Sequence, residues 1–224
     1  MGNVKLNLGC GAVRPKGWTN TDSSLNANLQ KIPVVGKLIT RQFNDVVYDS
    51  SNFVYMNLNK PWKYGDNTVD VVYASHLFEH LTLKSAALFL QEAYRSLRPG
   101  GVIRLVVPDL YKISKKYIAE FESGNVEDPT EFIMWAVNMH REGQYGARLG
   151  WFKKFVLENQ GYPHQHKYMY DEKSLAKKMR DAGFVDLLSL EYGVSKYITD
   201  IKDVEGTRES YLSVYLEGKK PAIQ

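Results

Sequence analysis

Leu6-Asn7-Leu8-Gly9-Cys10-Gly11 carries a short β-prone segment, Val4–Leu8, straight into two glycines separated by one residue. Glycines there let backbone approach a ligand closely at the carboxyl edge of a sheet. The same pair also suits a plain tight turn from strand to loop. The segments downstream repeat the alternation. Trp18–Thr21 is a second short candidate strand ending at Asp22, and Asn52–Asn57 is a third. Val69–Ser75, with β-branched and aromatic residues on both faces, reads as a buried strand. Lys84–Leu97 is the clearest helix, because Ala86, Leu90, Ala93, Tyr94 and Leu97 follow helical spacing. Pro99-Gly100-Gly101 is expected to stop it. Val102–Val107 is another strand, ended by Pro108. Strands alternating with helices predict an α/β fold, a mostly parallel sheet with helices on both faces.

The middle of the chain breaks this rhythm. Leu110–Glu122 reads as helix, Gly124–Pro129 as a break and Thr130–His140 as helix, with Phe132, Trp135 and Met139 on one face. Gly143–Gly150 is rich in glycine. Irregular insertions of this kind often serve as lids or binding loops, and a lid-like helical insertion is expected over approximately 111–165. Regularity then returns. Asp171 can cap a helix running to Gly183, with Leu175, Met179 and Ala182 inward. Val185–Tyr192 and Tyr211–Leu216 are strand-like, the second alternating.

A chain of 224 residues suits one domain, 1–224, better than two with thin cores. Hydrophobic residues make up 44% and charged residues 24%, a globular rather than a disordered balance. The net charge of +4 is too mild to argue for nucleic acid. A single cysteine excludes an intramolecular disulfide and favours a reducing compartment. No stretch is long and apolar enough to span a membrane, and the first residues lack the form of a signal peptide. A cytoplasmic protein is expected.

Asp22 follows the second strand, where a carboxylate can accept two hydrogen bonds from a ribose diol. Thr21-Asp22-Ser23-Ser24 is equally good capping sequence. With Leu6–Gly11, Gly17–Asp22, Val69–Leu81, Leu97–Gly101, Pro108-Asp109-Leu110, His166–Leu175 and Ala182-Gly183-Phe184 in this order, the chain resembles the class I S-adenosylmethionine-dependent methyltransferases. It resembles in particular the small members often associated with polysaccharide biosynthesis. The resemblance implies a Rossmann-like, seven-stranded sheet with one antiparallel strand, the last, formed by a hairpin of the two C-terminal strands. It implies S-adenosyl-L-methionine as cofactor. It places Gly9, Cys10 and Gly11 beside the methionine part, Asp22 on the ribose, Asn57 and Leu58 against adenine, and Ser75 and His76 at a strand end facing the cofactor. Asn57 departs from the acid usual there; its amide can still accept from the adenine amino group, without charge. Only ten residues separate Gly11 from Asp22, so the first helix must be very short or absent.

A sulfonium methyl is already electrophilic, so the protein mainly holds a nucleophile in line with it. A hydroxyl acceptor would also need a base, and histidine suits working pH. His76 is the first candidate to touch cofactor or acceptor; alternatively it satisfies loop backbone. Glu79 could orient an imidazole, although the resemblance favours a structural role for Glu79-His80-Leu81. Asp109, after a strand and a proline, could hold a substrate hydroxyl or orient a histidine, and it suits a helix cap equally well. His166 and Tyr168 follow the insertion as acceptor-site candidates; otherwise they pin the lid to the last helix. His164-Gln165-His166 has a metal-like spacing, yet no cysteine lies near and no further ligand is apparent, so no metal is expected. Lys177, Lys178 and Arg180 read as a solvated face, and Cys10 as a small packing residue.

Trp135, Tyr145, Trp151, Phe152 and Tyr162 give the insertion aromatic faces that suit sugar rings, or a hydrophobic small molecule. Arg148, Lys153 and Lys154 could attract a phosphate. O-methylation of a sugar or glycan precursor is expected, with His76, Asp109 and His166 near the acceptor and Tyr168, Tyr145 and Trp151 contacting it. An amine or another small metabolite is the alternative acceptor. A nicotinamide oxidoreductase is disfavoured, since Arg14 stands where a third glycine belongs. A cofactor-binding protein without catalysis remains open, and RNA is a weaker acceptor because no nucleic-acid module or basic stripe is present.

Overall fold

The computed structural model describes residues 3–11, 13–22, 54–137, 165–206 and 210–222. Seven strands form one sheet: β1 (Lys5–Leu8), β2 (Thr19–Asp22), β3 (Val54–Tyr55), β4 (Val69–Ser75), β5 (Leu97–Pro108), β6 (Val185–Leu190) and β7 (Ser213–Lys219). Their spatial order is β3-β2-β1-β4-β5-β7-β6. β1 through β5 pair in parallel, and β7 runs antiparallel to both neighbours. This is the Rossmann-like sheet expected, with β7 its one antiparallel strand.

Alternation along β4 shows why the sheet sits where it does. Val72 and Ala74 join a core with Leu6, Leu8, Ile103 and Leu105, while Val71 and Tyr73 join a second core with Trp18, Val102 and Tyr215. A strand buried on both faces belongs at the centre of a parallel sheet. On the first face lie α1 (Leu83–Ser96), through Ala86, Phe89, Leu90 and Ala93, and α4 (Glu172–Asp181), through Leu175, Ala176 and Met179. α2 (Leu110–Ser123) and α3 (Pro129–Ala136) follow β5, and a short α5 (Ile201–Val204) covers the second face with Ile201 and Val204. Asp171 caps α4 in a reciprocal capping box with Ser174.

Several boundaries differ from the sequence expectation. α1 already ends at Ser96, and Pro99-Gly100-Gly101, expected to stop it, lie within the next strand, which starts at Leu97. The pairing jumps from Val69↔Leu97 to Val71↔Val102, and Gly100 at φ +78° helps absorb the extra residues. Tyr211 is not in a strand: Ser210–Leu212 is a 3-10 turn, and the strand begins at Ser213. No helix separates β1 from β2 among the described residues, as the short spacing requires. Of the insertion, α2 and α3 are described, while Met139, Tyr145, Trp151, Phe152, Tyr162 and His164 lie outside the described residues. Among those described, no helix is long and apolar enough to cross a membrane.

Candidate active site

The carboxyl ends of β1, β2 and β4 come together at one edge. Gly9 and Gly11 turn the chain away from β1 with φ of +66° and +50°, values costly for other residues. A Cβ on Gly9 would press within 3.0 Å of the Leu77 side chain, whereas one on Gly11 would enter open space. The Gly11 N–H donates to Asp22 Oδ2 at 3.2 Å, and the Cys10 N–H to the Thr21 carbonyl at 2.9 Å, so the turn is fastened to the end of β2. Asp22 thus stands beside the glycine turn. The Met56 N–H donates to the Asp22 carbonyl, which brings Asn57 to the same edge. The Asn57 side-chain oxygen accepts from the Asn59 N–H at 3.0 Å, and Leu58 is buried in the first core.

A cleft of about 130 Å³ opens here, lined by Asn7, Gly9, Cys10, Val13, Tyr73, Ser75, His76, Val204 and Gly206. Burial pushes the Cys10 thiol up to about 11, which makes it packing rather than a nucleophile. A glycine turn beside a carboxylate is the arrangement that a nucleoside with an amino-acid tail would need. The glycine turn leaves room for close approach, and a carboxylate stands next to it where a diol would bind.

His76 ends β4 in the left-handed region, at φ +48°. Its N–H donates to the Val106 carbonyl at 2.9 Å. Non-glycine residues held there are strained, and such strain gathers at functional sites. The chain then enters a 3-10 turn, Phe78–His80, whose Phe78 and Glu79 are buried. Glu79 is 1% exposed, and neither carboxylate oxygen has a hydrogen-bond partner among the described residues. Three imidazoles surround it. His76 Nδ1 lies 3.4 Å from Glu79 Oε1, and His80 Nε2 and His166 Nε2 lie 3.9 Å from it. The His80 and His166 rings meet edge to face at 4.9 Å. His76 Nε2 faces Ser213 Oγ at 3.3 Å.

The segment before α4 is fixed to this turn. The Lys167 and Tyr168 N–H groups donate to the Glu79 carbonyl, and His80 Nδ1 lies 3.3 Å from the Gln165 carbonyl. That is how His166, distant in sequence, reaches Glu79. Burial drives the His166 pKa down to about 4; Glu79 opposes the shift, and His80 and His76 reinforce it. Tyr168 is exposed, and its ring meets that of Tyr170 at 4.8 Å with the planes tilted by 52°.

Asp109 is buried beside these groups but faces elsewhere. Its Oδ1 accepts from the Tyr111 and Lys112 N–H groups at 3.0 and 3.4 Å and so caps α2. Burial raises its carboxyl above the ordinary range, against the pull of Lys112 and those N–H groups. Its backbone holds the site together: Asp109 bridges Tyr170, whose carbonyl accepts from Leu110 N–H at 2.7 Å. Of the acceptor candidates, then, His76 and His166 meet around Glu79, Asp109 is a cap, and Tyr145 and Trp151 lie outside the described residues. Glu79, read from the sequence as able to orient an imidazole, has three imidazoles near it; that His166 is one of them had no local signal. The cleft wall from Val204 and Gly206 had no sequence signal.

Residues 6–105 match a family described as "Methyltransferase domain". No curated protein matches the chain. Among solved structures, a Methanosarcina mazei S-adenosylmethionine-dependent methyltransferase aligns over 100% of this chain and 95% of its own, at 14% identity and a TM-score of 0.50. A chain of the Haloferax volcanii complex containing the Trm112 methyltransferase activator aligns over 100% and 84%, also at 14% identity and a TM-score of 0.50. At such identities the shared property is the fold. A methyltransferase domain thus matches residues 6–105, on a fold shared with an S-adenosylmethionine-dependent methyltransferase.

Proposed function

We propose that the enzyme methylates a hydroxyl of a sugar or glycan precursor, in the cytoplasm and in polysaccharide biosynthesis, with residues 1–224 as one domain. S-adenosylmethionine supplies the electrophilic methyl group. Gly9, Cys10 and Gly11 hold its amino-acid part, Asp22 accepts from the ribose hydroxyls, Asn57 and Leu58 border adenine, and Ser75 closes the cleft. His76 removes the acceptor proton at Nε2 while Glu79 orients Nδ1. His166 supports Glu79 from behind, and Asp109 fixes the start of α2. Tyr168, with Tyr145 and Trp151 from the insertion over approximately 111–165, provides aromatic faces for a sugar ring.

One observation carries this reading: His76 lines the cofactor-side cleft and also contacts the buried carboxylate of Glu79. An imidazole with a carboxylate near Nδ1 and the Ser213 hydroxyl at Nε2, on the wall of the cleft, suits hydroxyl deprotonation. An amine that reacts in its neutral form has less need of it.

The test is methyl transfer to a panel of glycans, nucleotide sugars, amines and aromatic metabolites. Preference for a sugar hydroxyl is expected. His76→Asn, which tolerates the left-handed backbone, should lower kcat by about 10²–10⁴-fold. S-adenosylhomocysteine affinity should stay within a few fold. Preference for an amine overturns the acceptor, and an unchanged kcat overturns the role of His76.

A further inference from the structure

We infer that Glu79, His80 and His166 form a binding site for a divalent transition-metal ion. The Glu79 carboxylate and one ring nitrogen of each histidine lie within 4.8 Å of one another. Two imidazoles and a carboxylate are a donor set suited to zinc, iron or cobalt, whereas magnesium and calcium prefer oxygen ligands throughout.

The buried charge is the stronger argument. Glu79 is 1% exposed, and both its oxygens lack a hydrogen-bond partner among the described residues. A carboxylate removed from water is costly unless it is paired or bound to a metal. Three imidazole nitrogens stand near Glu79 Oε1, yet none makes a hydrogen bond to it. Neutral imidazoles and an ionised carboxylate are the forms that bind a metal.

The geometry is near what an ion needs. Ligand atoms about 2.1 Å from a tetrahedral metal stand roughly 3.4 Å apart. His80 Nε2 and His166 Nε2 are each 3.9 Å from Glu79 Oε1, about 0.5 Å beyond that separation, and all three ligand atoms lie within 4.8 Å of one another. The ligands are also anchored. His80 Nδ1 meets the Gln165 carbonyl, and the Glu79 carbonyl is held by the Lys167 and Tyr168 N–H groups. Contacts behind the ligands of this kind fix ring orientation in metal sites. The sequence had suggested His164 and His166 as the metal-like pair. The fold pairs His166 with the turn after β4 instead. With His76 between the ion and the cofactor-side cleft, the metal would hold an acceptor oxygen and acidify its hydroxyl. That role rests on the proposed O-methylation; the binding does not.

The experiment titrates untagged, chelator-treated protein with Co2+ in the absence of any acceptor. It follows ligand-field absorption and, by competition, Zn2+. One Co2+ per chain is expected. Glu79→Gln and His166→Gln should each weaken binding by more than about 100-fold, beyond the 10–100-fold typical of groups behind the ligands. His140→Gln should leave it unchanged. A thermal shift with S-adenosylhomocysteine shows that each variant is folded, and should Glu79→Gln fail to fold, His166→Gln decides. No stoichiometric uptake, or uptake that survives both substitutions, overturns the site. Metal uptake without sugar methylation overturns only the acceptor.

Discussion

Arg104→Met should destabilise the enzyme severely and weaken its grip on the cofactor. Arg104 sits in the middle of β5, fully buried, in the run Val102-Ile103-Arg104-Leu105-Val106-Val107. Its Nε donates to Glu205 Oε1 at 2.5 Å, Nη1 reaches Glu217 Oε2 at 3.5 Å, and Nη2 donates to the Glu191 carbonyl at 3.2 Å. The guanidinium also lies over the Tyr215 ring. Both carboxylates have further duties: Glu205 accepts from Gly193 N–H, and Glu217 from Ser195 Oγ and Lys196 N–H. Methionine fills similar volume, so the main loss is electrostatic, with two buried carboxylates deprived of their shared cation. Breaking a buried pair in this way costs about 3–5 kcal/mol, a large part of the roughly 5–15 kcal/mol that holds a domain folded. For a chain of this size each kcal/mol moves Tm by about 2–4 °C, so a fall of about 6–20 °C is expected in thermal unfolding. Adding Glu205→Gln removes one stranded charge and should recover part of the loss, a coupling of about 0.5–3 kcal/mol. Glu205 lies between Val204 and Gly206 on the cleft wall, so the stabilisation given by S-adenosylhomocysteine should also shrink. A Tm within about 2 °C of wild type would refute the reasoning, because the fold would then tolerate two buried carboxylates without a cation.

Two further outcomes test the cofactor edge. Asp22→Asn keeps the shape beside Gly11 but removes the charge, and calorimetry should find S-adenosylhomocysteine bound about 10–100-fold more weakly, the worth of charged hydrogen bonds; an unchanged Kd puts the ribose elsewhere. Cys10, the one thiol in the chain, has its pKa raised to about 11, so its thiolate appears only as pH climbs towards that value. Iodoacetamide should modify native protein far more slowly than urea-unfolded protein at pH 8, with the gap narrowing as pH rises, and equal rates at pH 8 would show that Cys10 is not buried.

What could be read along the chain was what neighbours in sequence decide. The glycine turn, Asp22 and the buried strand Val69–Ser75 announce themselves through local spacing, and their order sufficed to predict the sheet. Asp171 was legible as a cap because a cap binds the residues that follow it. Asp109 had two local readings, and the fold chose the cap. The start of β5 escaped because Pro99-Gly100-Gly101 is a stop signal for a helix and says little about a bulge. The polar interior escaped for a plainer reason: its partners are remote. Arg104 meets Glu205 and Glu217 across 101 and 113 residues, and His80 meets the segment carrying His166 across 85.

Arg104 lies within β5 and Glu79 in the turn that follows β4, both buried, and they are not equivalent. Arg104 has carboxylates, a carbonyl and an aromatic face around it, and nothing in that arrangement asks for another molecule. Glu79 has a strained histidine and two more imidazoles near one oxygen, Oε1, and no hydrogen-bond donor on either oxygen among the described residues. A chain that can satisfy one buried ion so fully has the means to satisfy the other. Where it instead gathers metal-type ligands around a buried carboxyl that has no hydrogen-bond donor among the described residues, the arrangement favours a bound ligand. Arg104 therefore points to stability and Glu79 to chemistry, although a sequence shows both only as charged residues in or beside apolar strands.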